Sequence, residues 1–154
     1  MQKSYSSYIR RLFLISYSLF FISYLATAQW YDPLKVKTKA TDIYLQAITK
    51  AQNGDLTTAI KMINDALKIE PKYVDAYLSV AGMYAELKDY NKSVNQFEKA
   101  FSLDSVYAKS YLLPYSISLA GAGKFNKALN TVNIFLAIPK LNDRSIKSGE
   151  FRKK

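Results

Sequence analysis

The stretch Gly54-Asp55-Leu56-Thr57-Thr58-Ala59-Ile60 recurs as Lys88-Asp89-Tyr90-Asn91-Lys92-Ser93-Val94 and again as Gly123-Lys124-Phe125-Asn126-Lys127-Ala128-Leu129. The first step is 34 residues and the second is 35, so the third copy carries a one-residue insertion. A period of this size marks an array of stacked helical hairpins. One such hairpin cannot bury its own apolar faces, so its neighbours must stack against it.

Helical spacing runs outward from the three copies. Residues 41–53 read as a first helix, broken at Asn53-Gly54-Asp55. Residues 56–69 read as a second, with Leu56, Ala59, Ile60, Ile63, Ala66 and Leu67 recurring at steps of three and four. Pro71 stops it, because proline has no amide hydrogen to continue the ladder and drives Glu70 out of the helical region. Residues 73–87 and 90–103 give the third and fourth helices, separated from the fifth by Asp104-Ser105. Residues 107–122 and 125–138 give the fifth and sixth. Pro114 lies in the fifth, which is expected to kink or to start late. Residues 144–154, capped by Asn142 or Asp143, read as a seventh segment that is either a capping helix or the start of a further unit. No stretch alternates as a strand does.

The small and large residues fall in phase across the copies and together resemble the tetratricopeptide repeat. Residues 40–73 match it through Ala47, Ala59 and Ala66 as small residues, Leu56 and Ile63 as large ones and Pro71 as terminator, with Lys50 where a tyrosine is usual. Residues 74–107 match it best, through Tyr77, Ala81, Tyr84, Tyr90, Ser93, Phe97 and Ala100. Residues 108–141 match more loosely through Ser116, Ala128 and Val132, with Phe135 where a small residue is expected. The resemblance implies an all-α fold. It would be a right-handed superhelical array of about three such hairpins, followed by the segment 142–154 as a capping or truncated helix.

The resemblance also implies where a partner would sit. In this family the first helix of each hairpin lines a concave groove. Carried over residue by residue, the groove positions are Thr41, Tyr44, Ile48, Ala51 and Gln52 in the first unit. They are Asp75, Leu78, Gly82, Ala85 and Glu86 in the second, and Ser110, Leu113, Ile117, Ala120 and Gly121 in the third. Tyr44, Ile48, Leu78, Gly82, Glu86, Leu113 and Ile117 are the expected contact residues. Tyr44 and Ile48 stand where some members place the lysines and asparagines of a carboxylate clamp, which argues against that mode. An apolar helix or extended apolar segment suits these side chains better, and packing against a further helix of the same chain is the competing use of them. The aromatics Tyr77, Tyr84, Tyr90, Phe97 and Phe125 could resemble a stacking platform, but they fall at the family's core-packing positions and are assigned to packing.

The amino end carries a different signal. Lys3, Arg10 and Arg11 precede an apolar run of 14 residues, residues 12–25, and Ala26-Thr27-Ala28 supplies a small-x-small cleavage pattern. Residues 1–28 therefore read as a secretory signal peptide, with residues 29–39 as a lead-in. The apolar run is shorter than the roughly 20 residues of a membrane span and is broken by Ser16, Ser18 and Ser23. Membrane contact is thus expected only through this segment, if it is left uncleaved. Export to the periplasm or cell envelope, with outer-membrane association as one form of it, is the expectation for location.

Composition narrows the chemistry. The 154 residues include no Cys and no His, which removes disulfides, thiolate nucleophiles, imidazole bases and the usual zinc ligand sets. No phosphate loop, nucleophile elbow or calcium loop is present. Asp42, Asp65, Asp75 and Glu98 read as separate solvated carboxylates. No enzyme activity, no cofactor, no metal and no small-molecule substrate is expected. The formal net charge is +10, and +7 once the leader is removed. Because the lysines are scattered over helical surfaces, nucleic acid is not expected as a partner.

The expected function is that of a non-enzymatic protein–protein interaction scaffold that binds a protein or peptide in its groove. The alternative is a basic structural envelope element docking to an anionic polymer or a peptidoglycan-associated complex. In that case it could be a fragment of a longer protein that resembles envelope proteins combining such repeats with a propeller and an OmpA-like domain.

Overall fold

A computed structural model describes residues 30–138. The signal-peptide reading (residues 1–28), its cleavage point and the expected helix at residues 142–154 lie outside the described residues. Among the described residues there are six α-helices and two short 3-10 segments, and no strand. The fold is all-α. After a 3-10 turn at Pro33–Lys35, the first hairpin pairs α1 (Thr38–Gln52) with α2 (Leu56–Ile69). The second pairs α3 (Val74–Glu86) with α4 (Tyr90–Leu103). A 3-10 segment, Tyr107–Tyr111, leads into the third, α5 (Leu112–Gly121) with α6 (Phe125–Leu136).

The recurring heptapeptide is the turn of each hairpin. Its first residue takes the left-handed conformation in all three copies: Gly54 at φ 84°, Lys88 at φ 62° and Gly123 at φ 75°. This closes the preceding helix by the usual left-handed cap, which glycine adopts without a Cβ penalty and lysine does not. The second residue caps the next helix. The Asp55 side chain accepts the Thr58 amide at 3.1 Å, and the Asp89 side chain accepts the Lys92 amide at 3.2 Å. Lys124 holds the same place in the third copy and provides no side-chain cap.

Helix limits reflect local chemistry. α2 and α4 keep the limits their apolar spacing implies. α1 starts at Thr38, three residues before the expected start, after a turn in which Asp32 accepts the Leu34 amide at 3.0 Å. Glu70 is held at φ −130°, ψ 86° ahead of Pro71. α5 starts late, at Leu112 rather than residue 107. Pro114 has no amide hydrogen, and its ring would crowd the carbonyl four residues back, so residues 107–111 adopt the tighter 3-10 form. The extra residue of the third copy falls between Leu103 and Gly123, since the helix ends Ile69 and Leu103 are still 34 residues apart and the turn residues Lys88 and Gly123 are 35 apart.

Two side-chain clusters form the interior. The first joins Ala40 and Ala47 of α1 to Ala59, Ile63 and Ala66 of α2 and to Ala76, Val80 and Met83 of α3. The second joins Val74, Leu78 and Ala81 of α3 to Val94, Phe97 and Ala100 of α4, then to Ala108, Tyr115, Leu119 and Ala128. The phased small residues are where the helices meet. Ala47, Ala59, Ala66, Ala81, Ser93 and Ala100 are fully buried. Ser93 and Ser118, both fully buried, share a hydroxyl–hydroxyl hydrogen bond of 2.8 Å across α4 and α5. Ser118 also donates to the Pro114 carbonyl at 3.1 Å, a carbonyl near the helix start. The apolar area removed from water at these helix–helix contacts is the main stabilising term.

The aromatics assigned to packing divide. Phe97 is buried, and Tyr77, Tyr84 and Tyr90 are half-buried. Phe125 is 69% exposed, because its repeat position packs onto a subsequent hairpin and none stands there among the described residues.

Candidate functional site

The residues carried over as a groove occupy the first helix of each hairpin, except Ser110, which lies in the 3-10 segment ahead of α5. The structure distributes them unevenly between interior and surface. Tyr44 on α1 is half-buried. Its hydroxyl lies 2.9 Å from the Ser79 hydroxyl of α3, and its ring lies 4.9 Å from that of Tyr73. Ile48 and Ala51 are half-buried against the first cluster. Leu78 is inside the second cluster at 3% exposure, so its side chain supports the face from beneath rather than presenting itself. Gly82 and Glu86 on α3 are exposed or nearly so, and a Cβ at Gly82 would meet nothing within 4 Å. On α5, Leu113 and Ile117 are 40% and 59% exposed, one helical turn apart. Ala120 is exposed as well. A Cβ at Gly121 would lie 2.5 Å from the Tyr90 ring, so this glycine is required by the approach of α5 to α4. Thr41 is half-buried, while Gln52 and Ser110 are exposed.

The exposed groove positions are therefore Gln52, Gly82, Glu86, Ser110, Leu113, Ile117, Ala120 and Gly121, while Tyr44 and Ile48 are half-buried. They are apolar or small on α5, with one carboxylate on α3 and the polar residues Gln52 and Ser110 besides. Burial raises the Tyr44 hydroxyl above its ordinary value despite the bond to Ser79, so Tyr44 stays a neutral donor or acceptor. Burial also pushes the Tyr73 hydroxyl up to about 12, with Tyr44 and Asp75 adding to the effect.

Two carboxylates that read as merely solvated have specific partners. Asp75, in the first turn of α3, accepts the Tyr31 hydroxyl at 2.8 Å on one oxygen and the Tyr107 hydroxyl at 2.6 Å on the other. Glu98 on α4 accepts the Tyr115 hydroxyl at 3.0 Å and pairs with Lys127 of α6 at 2.6 Å. The Lys127 hydrogen bond holds the Glu98 carboxyl below its ordinary value, and the same bond raises the Lys127 ammonium. A sequence-level signal existed for the first cluster. Tyr73 and Tyr107 stand 34 residues apart at the entry to successive hairpins. Tyr31, the lead-in tyrosine that reaches Asp75 and Tyr107, has no repeat partner and left no such signal.

Among the described residues, no group of His, Cys, Asp and Glu is arranged to hold a metal ion. No described helix is long and apolar enough to cross a membrane.

Comparison with known proteins points the same way as the geometry. Residues 74–107, the second hairpin with its entry to the third, match the family model described as Tetratricopeptide repeat. Over 80 residues the chain is 31% identical to the small glutamine-rich tetratricopeptide repeat-containing protein 2 of Saccharomyces cerevisiae, covering 52% of this chain and 23% of that one. It is 32% identical to tetratricopeptide repeat protein 36 of Danio rerio over 80 residues, covering 52% of this chain and 42% of the relative. The chain thus spans less than half the length of either relative. The crystal structure of MamA protein is similar in fold, with a TM-score of 0.57 and 17% identity over 75% of this chain and 59% of that one. The unit at residues 74–107 thus matches the tetratricopeptide repeat, and the three phased hairpins and the two relatives support that family for the chain.

Proposed function

We propose that this chain is a non-enzymatic, exported scaffold that binds a protein or an extended peptide on the face made by α1, α3 and α5. The observation that carries this reading is the surface of Gly82, Glu86, Leu113 and Ile117. Apolar side chains stand open on α5, and one exposed position on α3 is kept free of any side chain. Helical repeats of this kind generally serve as surfaces for other proteins. Exposed apolar side chains rimmed by a polar edge suit a partner's apolar segment.

Substitution of Ile117 by Asp and of Gly82 by Arg tests the face. Both positions are exposed, so the helical spectrum and melting temperature should hold while partner capture falls. Unchanged capture by both variants would rule the face out as the binding surface. The export part of the proposal rests on the basic, apolar and small-x-small segments of residues 1–28. Amino-terminal sequencing of the protein from an envelope fraction should begin at Gln29. Recovery of the chain in the cytosol starting at Met1 would refute export.

A further inference from the structure

The lead-in segment crosses the helix ends of the first two hairpins. Lys37 donates to the Ile69 carbonyl at 3.0 Å, and Val36 packs on the first cluster. Tyr31 reaches furthest. Its hydroxyl donates to Asp75 at 2.8 Å, and its backbone amide donates to Asp104 at 2.9 Å. Its ring meets the Tyr107 ring edge to face at 4.8 Å and 80°. It packs against both core clusters. The receiving side is held independently of Tyr31. The other Asp104 oxygen accepts the Val106 and Tyr107 amides at 3.0 and 2.8 Å, and the other Asp75 oxygen accepts the Tyr107 hydroxyl.

This arrangement reads one residue at three points: a phenol hydroxyl, an aromatic edge and a main-chain amide. Hydrogen bonds to ionised carboxylates are stronger than neutral ones, so tyrosine is favoured over phenylalanine. A phosphorylated tyrosine would bring negative charge and no donor to Asp75, and would be rejected. Asp75 is one of the expected groove positions, and Leu78, one helical turn on, belongs to the cluster that Tyr31 covers.

We propose that the Asp75–Tyr107–Asp104 seat is a recognition site for an unmodified tyrosine in an extended segment of a partner, and that Tyr31 occupies it in cis until such a segment displaces it. The proposal rests on the partner-binding reading of the α1, α3 and α5 face and names the partner's chemistry. A tethered occupant acts at high effective concentration, so filling the seat in cis lowers apparent affinity for any partner.

The test uses the full-length chain, isotope-labelled, and an acetylated pentapeptide of residues 29–33, followed through the backbone amides of Asp75, Val106 and Tyr107. The Tyr31→Ala chain should bind the pentapeptide at least about tenfold more tightly than the wild-type chain, whose seat is filled. A peptide with phenylalanine in place of the tyrosine should bind about tenfold more weakly, and the phosphotyrosine peptide not at all. Tyr31→Phe, which keeps the ring and loses the donor, should fall between wild type and Tyr31→Ala. Equal binding by wild type and Tyr31→Ala, or equal binding of all three peptides, would overturn the proposal. So would no binding by a folded Tyr31→Ala chain. Loss of the helical spectrum in Tyr31→Ala would also overturn it, since Tyr31 would then be a fixed structural clasp. None of these failures touches Gly82 or Ile117, so the wider face reading stands or falls separately.

Discussion

At the residue scale, the three turns show how one position is solved three ways. Gly54 and Gly123 take the left-handed conformation at no steric cost, whereas Lys88 carries a Cβ there. Lys88→Gly should therefore raise stability by about 0.5–1 kcal/mol in denaturant titration, the unfolded-state entropy of glycine offsetting part of the relieved strain. The missing cap at Lys124 predicts a gain of about 1 kcal/mol for Lys124→Asp. The two helical glycines should respond with opposite signs. Gly82→Ala meets open space and should stabilise by about 0.5–1 kcal/mol. Gly121→Ala drives a methyl into the base of the Tyr90 ring and should destabilise by about 1–3 kcal/mol. Equal effects at the two positions in thermal melts would contradict this packing. The small residues that mark the helix contacts were legible in the sequence, because Ala47, Ala59, Ala66, Ser93 and Ala100 recur in register. The burial of Leu78 was not, since the residue covering its cluster, Tyr31, lies outside the repeat.

At the element scale, α2 and α4 were legible to the residue, because an aspartate cap precedes each and a sharp break ends each. For α5 the late start was legible from Pro114 in its first turn, while the choice between a kink and the 3-10 opening at Tyr107–Tyr111 was not. The third hairpin is also fastened differently. Glu98 ties α4 to α6 through Lys127 and to α5 through Tyr115. The Glu98 carboxyl is lowered in the folded state, so its contribution is present above its ordinary value of 4.5 and is lost as pH falls through the lowered value. Both partners are substantially exposed, so solvent screening keeps the contribution to about 0.5 kcal/mol. Glu98→Gln should melt slightly below wild type near neutral pH, and the gap should close as pH falls through that window. A gap that widened on acidification would show that the pair does not fasten this hairpin.

At the scale of the whole molecule, the sequence pattern announced an all-α array and the three hairpins found among the described residues. It could not say which groove positions stay open, because burial there is set by packing between helices and with the lead-in residue Tyr31, which lies outside the repeat. Phe125, Leu129 and Leu136 are 69%, 63% and 70% exposed at that end, as a stack leaves its last face when no described hairpin covers it. The alternative use of the molecule, docking to an anionic polymer through its basic surface, would make binding weaken steeply as salt rises. An apolar binding face makes it nearly salt-independent. The most direct test places a photoreactive residue in turn at Gly82, Glu86 and Ile117 on the α3 and α5 face, and at Lys61 and Asn95 on exposed positions of α2 and α4. Crosslinks to one common protein partner are expected from the first three sites and none from the last two. Crosslinks only from Lys61 and Asn95, or equally from all five sites, would contradict a binding face on α3 and α5.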